Sequence, residues 1–139
     1  MADVSNPQNK PAIMVSDVDY KRLSDLAVGA LERMPAVAEV LLAEMDRAEV
    51  VAASTIPANV VQMQSTVNYR SDAGEERRVT LVYPAEADIA QGRISIMTPI
   101  GSALIGLSTG QSIAWTTRDG QRHELTVVSV EQPSTLLAS

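Results

Sequence analysis

Residues Gly106 to Gly110 read GLSTG, which fits the G-x-S-x-G spacing that sets a nucleophilic serine on a strained turn between a strand and a helix. Starting at Gly101 the chain reads GSALIGLS, one residue short of a phosphate-cradling P-loop, because Leu107 stands where that motif needs lysine. Both chemistries need a helix N-terminus facing the negative charge. The local residues predict the opposite order. Pro99 suits the first turn of a helix, and Gly106 suits the left-handed residue that ends one. Ser108 is therefore expected past a helix C-terminus, where the dipole disfavours an oxyanion, and it reads as a turn serine. His123 is the only histidine and there is no cysteine. A serine would have one possible base, and a zinc centre would lack ligands. No catalytic residue, metal site or cofactor is assigned.

The elements around these residues follow from composition and period. The 139 residues are 45% hydrophobic, enough for one ordinary core or a small domain with an appendage. Net charge is −6, with 9 acidic and 5 basic residues in 1–56 and 8 against 6 in 57–139, so neither half offers a basic face for nucleic acid. With no Phe, one Trp and three Tyr, stacking platforms for bases are missing as well. The opening MADVSNPQNKP has no apolar run typical of a signal peptide, and no later segment approaches the roughly 18 apolar residues of a membrane span. A cytoplasmic protein without autonomous nucleic-acid or membrane binding is expected.

Up to about residue 55 the sequence favours helix. Ser16 can cap a first helix, with Tyr20, Leu23, Leu26, Ala27 and Ala30 at helical spacing. The segment GALERMP breaks it. Pro35 then opens a second helix with Val37, Val40, Leu41, Met45, Ala48 and Val51 in one stripe. A turn this short makes the two helices antiparallel, a hairpin about 22 Å long. After Pro57 the period becomes two. Strands are predicted over 65–71 and 75–83 around the turn DAGE, over 93–97 and 111–117, and over 122–130 after RDGQ, with a short helix between the third and fourth. The expected organisation is a flexible N-terminus (1–15), a helical hairpin (16–53), a β-domain (57–132) and a frayed tail (133–139). The fold class is α+β.

Four stretches in order, VVQMQSTVNYR, RRVTLVYPAE, GRISIMTPIGSALIGLSTGQSIAW and LTVVSVEQP, resemble the C-terminal domain of the Gre transcript-cleavage factors. With DRAEVV leading to IPANVV behind a short hairpin, the chain is similar to the Rnk group, the regulators of nucleoside diphosphate kinase. The resemblance runs from about Ile13 to Pro133. It implies an FKBP-like antiparallel β-domain that docks on RNA polymerase at the rim of the secondary channel, with a short coiled-coil hairpin directed toward the pore. It implies a non-enzymatic, monomeric regulator that competes with Gre-type factors. The segment that grips the polymerase rim in Gre-type domains matches Met97, Thr98, Pro99 and Ile100, although Thr98 and Pro99 would start a helix in any case.

Cleavage factors carry paired acidic residues at the tip of a longer coiled coil, because one carboxylate rarely holds a divalent ion already shared with polymerase aspartates. Here the tip offers Glu32 alone, next to Arg33, with Glu39 about a turn further on. Transcript cleavage through this tip is the alternative reading. A prolyl isomerase would follow from fold likeness alone, and a chain without Phe lacks the aromatic lining such a pocket needs. A generic small-molecule binding domain is a further alternative. Trp115 reads as core and His123 as a solvated strand end. Arg70, Arg77 and Arg78 read as a solvated face or as contacts to acidic polymerase surface. Asp17, Asp19 and Asp25 suit the first turns of a capped helix.

Overall fold

A computed structural model describes residues 12–116 and 120–132. Strand β1 (Met14–Ser16) leads straight into helix α1 (Asp17–Ala30), and helix α2 (Pro35–Arg47) leads into strand β2 (Glu49–Val51). Ser16 ends the strand and caps the helix, its Oγ accepting the Asp19 N–H at 3.0 Å. Asp17 and Asp19 sit in the first turn, where the helix dipole favours negative charge. Pro35 occupies the first turn of α2. The buried positions Leu23, Ala27 and Ala30 on α1 face Ala38, Leu41 and Met45 on α2, and the alanines let the two axes approach closely. Among the described residues neither helix is long and apolar enough to cross a membrane.

The sequence places residues 12–15 in a loose N-terminus and carries the second helix to Val51. In the structure Ile13 and Val15 are core residues, and α2 stops at Arg47. Strands β1 and β2 pair in parallel, Met14 opposite Glu49 and Ser16 opposite Val51. On its other side β1 is held by the Met14 N–H, which donates to the Gly106 carbonyl at 3.2 Å. Residues 1–11 and 117–119, where the end of the expected 111–117 strand and the start of the RDGQ turn fall, and the tail expected at 133–139 lie outside the described residues.

The main sheet contains β3 (Thr66–Ser71), β4 (Glu76–Val82), β5 (Arg93–Ser95), β6 (Ser112–Thr116) and β7 (Arg122–Glu131), in the order β5-β4-β3-β7-β6. A short helix, α3 (Pro99–Leu104), lies between β5 and β6. Alternation sends Val67, Tyr69, Leu81, Ile113, Leu125 and Val127 inward. The outward face pairs polar groups across strands, Thr66 with Thr80 at 2.9 Å, Asn68 with Ser129 at 2.8 Å and Ser112 with Thr126 at 2.6 Å. The sheet departs from the expected antiparallel pattern at one edge, where β5 runs parallel to β4. The connection between them contains two 3-10 turns, Pro84–Glu86 and Ile89–Gln91, long enough to carry the chain back to the start of β4's neighbour. One apolar core unites both halves of the chain: Ile13, Leu23 and Leu41 cluster with Leu81, Leu104, Leu107 and Leu125.

Candidate functional site

The segment leaving β5 is tied to itself by side chains. Ser95 Oγ accepts the Met97 N–H at 2.9 Å. The Thr98 hydroxyl donates to the Ser95 carbonyl at 2.7 Å and accepts the Gly101 N–H at 3.1 Å, so one group closes the loop and caps α3. Ser102, fully buried, donates to the Ile96 carbonyl at 3.0 Å. Gly101 allows this crowding, since a Cβ there would lie 2.3 Å from the Ser95 oxygen. Met97 is 3% exposed and packs into the core, so of the four residues expected to dock it offers no surface. Thr98, Pro99 and Ile100 are half-buried and reach the surface together.

The hairpin tip is the turn Leu31–Arg33, with Glu32, Arg33 and Glu39 exposed. The Met34 N–H donates to Ala30 at 2.8 Å, while α2 begins without a side-chain cap, consistent with Pro35 in its first turn. Around the tip lies an apolar collar in which Leu31, Met34 and Val37 are half-buried and Val28 and Val40 exposed. Among the described residues no three His, Cys, Asp or Glu side chains converge where a metal ion could sit.

The remaining candidates have structural employment. Ser108 follows α3 and precedes β6, its N–H donating to Gln111 Oε1 at 2.9 Å, so no helix N-terminus faces it. Gly106 takes the left-handed conformation expected of it, with φ +83. Trp115 and His123 pair across strands with ring centroids 5.5 Å apart, and His123 Nδ1 lies 3.5 Å from Asp72 Oδ1. Each arginine of the exposed face has an acidic neighbour: Arg70 with Glu76 at 2.8 Å, Arg77 with Glu75 at 3.4 Å, Arg78 with Glu131 at 2.7 Å.

Around the joint between hairpin and sheet, the sequence reading assigned no role to Glu44, Tyr83 or Gln132, and it gave Asp19 only its place in the first turn of a helix. Glu44 is 1% exposed on α2 and binds Arg47 through Nε at 3.1 Å and Nη2 at 2.8 Å. Its position between Leu41 and Met45 in the apolar stripe is the signal that it faces inward. Asp19 accepts the Met63 N–H at 3.2 Å. Burial raises the Asp19 carboxyl above its ordinary value, against the Met63 hydrogen bond and the charge of Arg22. The Tyr83 hydroxyl is buried without a hydrogen bond of good geometry. Burial first and Asp19 second raise its pKa, and nearby Arg22 opposes them. Gln132 closes the joint, donating to the Ala58 and Val60 carbonyls at 2.9 and 2.8 Å and accepting from Ser65 at 2.7 Å.

A family model described as transcription elongation factor GreA/GreB, C-terminal, matches residues 56–132, and one described as Rnk N-terminus matches 11–51. The chain is 36% identical over 124 residues to the regulator of nucleoside diphosphate kinase of Escherichia coli K12, covering 88% of this chain and 91% of that one. It is 39% identical over 80 residues to transcription elongation factor GreA of Azorhizobium caulinodans, covering 57% of this chain and 51% of that one. The solved structure of a prokaryotic transcription elongation factor GreA/GreB from Nitrosomonas europaea is 41% identical, with a TM-score of 0.69 over 88% of this chain and 99% of the other.

Proposed function

The chain belongs to the GreA/GreB family, in the branch that carries the Rnk N-terminal segment, and from that membership we propose that it is a transcription regulator that binds RNA polymerase without cleaving transcripts. On this reading the β-domain is FKBP-like and docks at the entrance of the secondary channel through Thr98, Pro99 and Ile100. The hairpin, a short coiled coil, points into the channel. The protein acts as a cytoplasmic monomer and displaces Gre-type factors by occupying their place.

The observation that carries the proposal is the hairpin itself. Helices of 14 and 13 residues reach only about 20 Å from their base. Their tip presents Glu32 beside Arg33, a neutral pair, where capture of a shared divalent ion needs two carboxylates. A factor with an elongation-factor β-domain and such a tip can fill the channel and leave the catalytic magnesium untouched.

Backtracked elongation complexes test this. Added alone, the protein is expected to leave the rate of transcript cleavage unchanged. Added with a Gre factor it slows the stimulated cleavage, and excess Gre factor restores the rate, as competition for one site requires. Cleavage stimulated by this chain and lost in Glu32→Ala establishes the cleavage-factor reading instead. Undiminished Gre activity at saturating protein removes the shared site.

A further inference from the structure

The two helices of the hairpin obey the rules of helix ends at the base and break them at the tip. At the base Ser16 caps α1, Asp17 and Asp19 sit in its first turn, and Arg47 sits in the last turn of α2, its guanidinium bound to Glu44 at 2.8 Å. Each of these charges near a helix end has the sign that the dipole favours. At the tip α1 ends with no basic residue in its last turn, and α2 begins with no side-chain cap and no acidic residue in its first turn. The side chains of Glu32 and Arg33, in the turn between them, make no hydrogen bond or ion pair among the described residues. Pro35 alone, in the first turn of α2, suits its place.

Gly29 weakens the same end. It lies in the last turn of α1 with no left-handed φ to require glycine, and a Cβ on it would meet nothing within 4 Å. Neither backbone nor packing calls for a residue that costs a helix stability relative to alanine. The packing thins in the same direction. Toward the base the buried apolar side chains are Leu23, Leu41 and Met45, and toward the tip they are Ala27, Ala30 and Ala38. An alanine removes much less apolar surface from water than a leucine does. Leu31, Met34 and Val37 pack at the tip only half-buried. Weak helix ends and thin packing therefore coincide at one end of a hairpin whose other end shares the core of the sheet. Such a segment opens at a lower free energy than the structure around it.

We propose that the hairpin tip is a conformational device: residues 28–37 open and re-form while the base of both helices stays folded, and Gly29 sets how readily they do so. Opening releases the bonds from the Met34 N–H to Ala30 at 2.8 Å and from the Ala38 N–H to Met34 at 2.9 Å, and it unpacks Leu31, Met34 and Val37. The tip then changes shape while the rest of the chain keeps its own, and this does not depend on the polymerase reading above. Native-state amide exchange of the full chain, followed by NMR at several urea concentrations below the unfolding transition, tests it. Relative to their unprotected rates, the Met34 and Ala38 amides are expected to exchange about a hundredfold or more faster than those of Leu23 and Leu81. Their rates should depend little on urea, because the opening exposes little surface. Gly29→Ala is expected to slow the tip amides about twofold to fivefold. Ile113→Val, a small loss of packing in the sheet, should quicken Leu23 and Leu81 about threefold or more and leave the tip amides unchanged. Tip amides that match Leu23 in rate and urea dependence, or that quicken with it in Ile113→Val, overturn the proposal, since the tip then opens only with the whole chain. Tip amides unmoved by Gly29→Ala overturn it as well.

Discussion

Thr98 performs two structural tasks with one hydroxyl, closing onto Ser95 and capping α3, and neither task uses its γ-methyl. Stability and binding should therefore separate by substitution. Thr98→Ala removes the cap and is expected to lower stability by about 1 kcal/mol in urea melts. Thr98→Ser keeps the hydroxyl and should melt like wild type. If the docking segment acts through the methyl, the serine variant binds polymerase more weakly at unchanged stability, a combination that capping alone does not produce. Asp19 gives a second residue-scale test. Its folded pKa is raised above the ordinary 3.8, so its contribution to stability is fully present below that value and is lost as pH rises through the folded pKa. Asp19→Asn keeps an oxygen for the Met63 N–H and cannot ionise. The stability of the variant relative to wild type should rise as pH increases from about 3.8 and then level off. A difference that stays flat across that window shows that the carboxylate is not penalised by its burial.

Between hairpin and sheet, the decisive contact is the approach of β1 to Gly106. A Cβ on Gly106 would lie 2.8 Å from Ile13 Cβ and 3.2 Å from the Met14 oxygen, in a left-handed backbone that side chains rarely adopt. Gly106→Ala is expected to cost roughly 2–4 kcal/mol, from backbone strain and forced displacement of β1 together. Amide exchange at Met14, whose N–H bonds to Gly106, should quicken in the same variant. Unaltered exchange would mean that the strand is held by β2 alone. Gly106 was legible from the sequence as a helix-ending residue, because a left-handed position after an apolar helical run favours glycine. What it touches was not legible. The segments MVS and EVV are too short to show a period, so β1 and β2 pass for a loose terminus and the end of a helix. The parallel β4–β5 pair escaped for another reason, since alternation marks a strand's faces and says nothing of its direction. Met97 was named with the docking segment because it precedes the matching residues Thr98, Pro99 and Ile100, and between a strand and a helix neither period showed that it faces inward. The long elements α1, α2, β3, β4 and β7 were read within a few residues of their ends, except at Ala48–Val51, where an apolar stripe continues past Arg47 in extended backbone.

At the level of the whole chain, Ile13, Val15 of β1, Leu23 of α1 and Leu41 of α2 share one core with Val67, Leu81 and Leu125 of the sheet. The hairpin and the β-domain are therefore expected to unfold together. Helical circular dichroism reports the hairpin, and the fluorescence of Trp115, the only tryptophan, reports the sheet. The two should give coincident thermal midpoints. Separate midpoints would show two independent units. A chain limited to 57–132 loses Ile13, Val15, Leu23 and Leu41 from the core they share with Leu104, Ile105 and Leu107, and it should bind apolar dyes where the full chain does not. Strand order carries one more consequence. Strand β7, last in sequence among those described, lies between β3 and β6, which have no contact in the sheet without it. As the chain emerges from the ribosome, β3 and β6 each wait with a bare hydrogen-bonding edge until residues 122–131 arrive to join them. A nascent chain stalled before residue 122 displays two more unpaired edges than the finished sheet and an uncovered apolar face, the condition in which strands pair with neighbours. The sheet closes in one late step, and until then the growing chain depends on the cell to keep its edges apart.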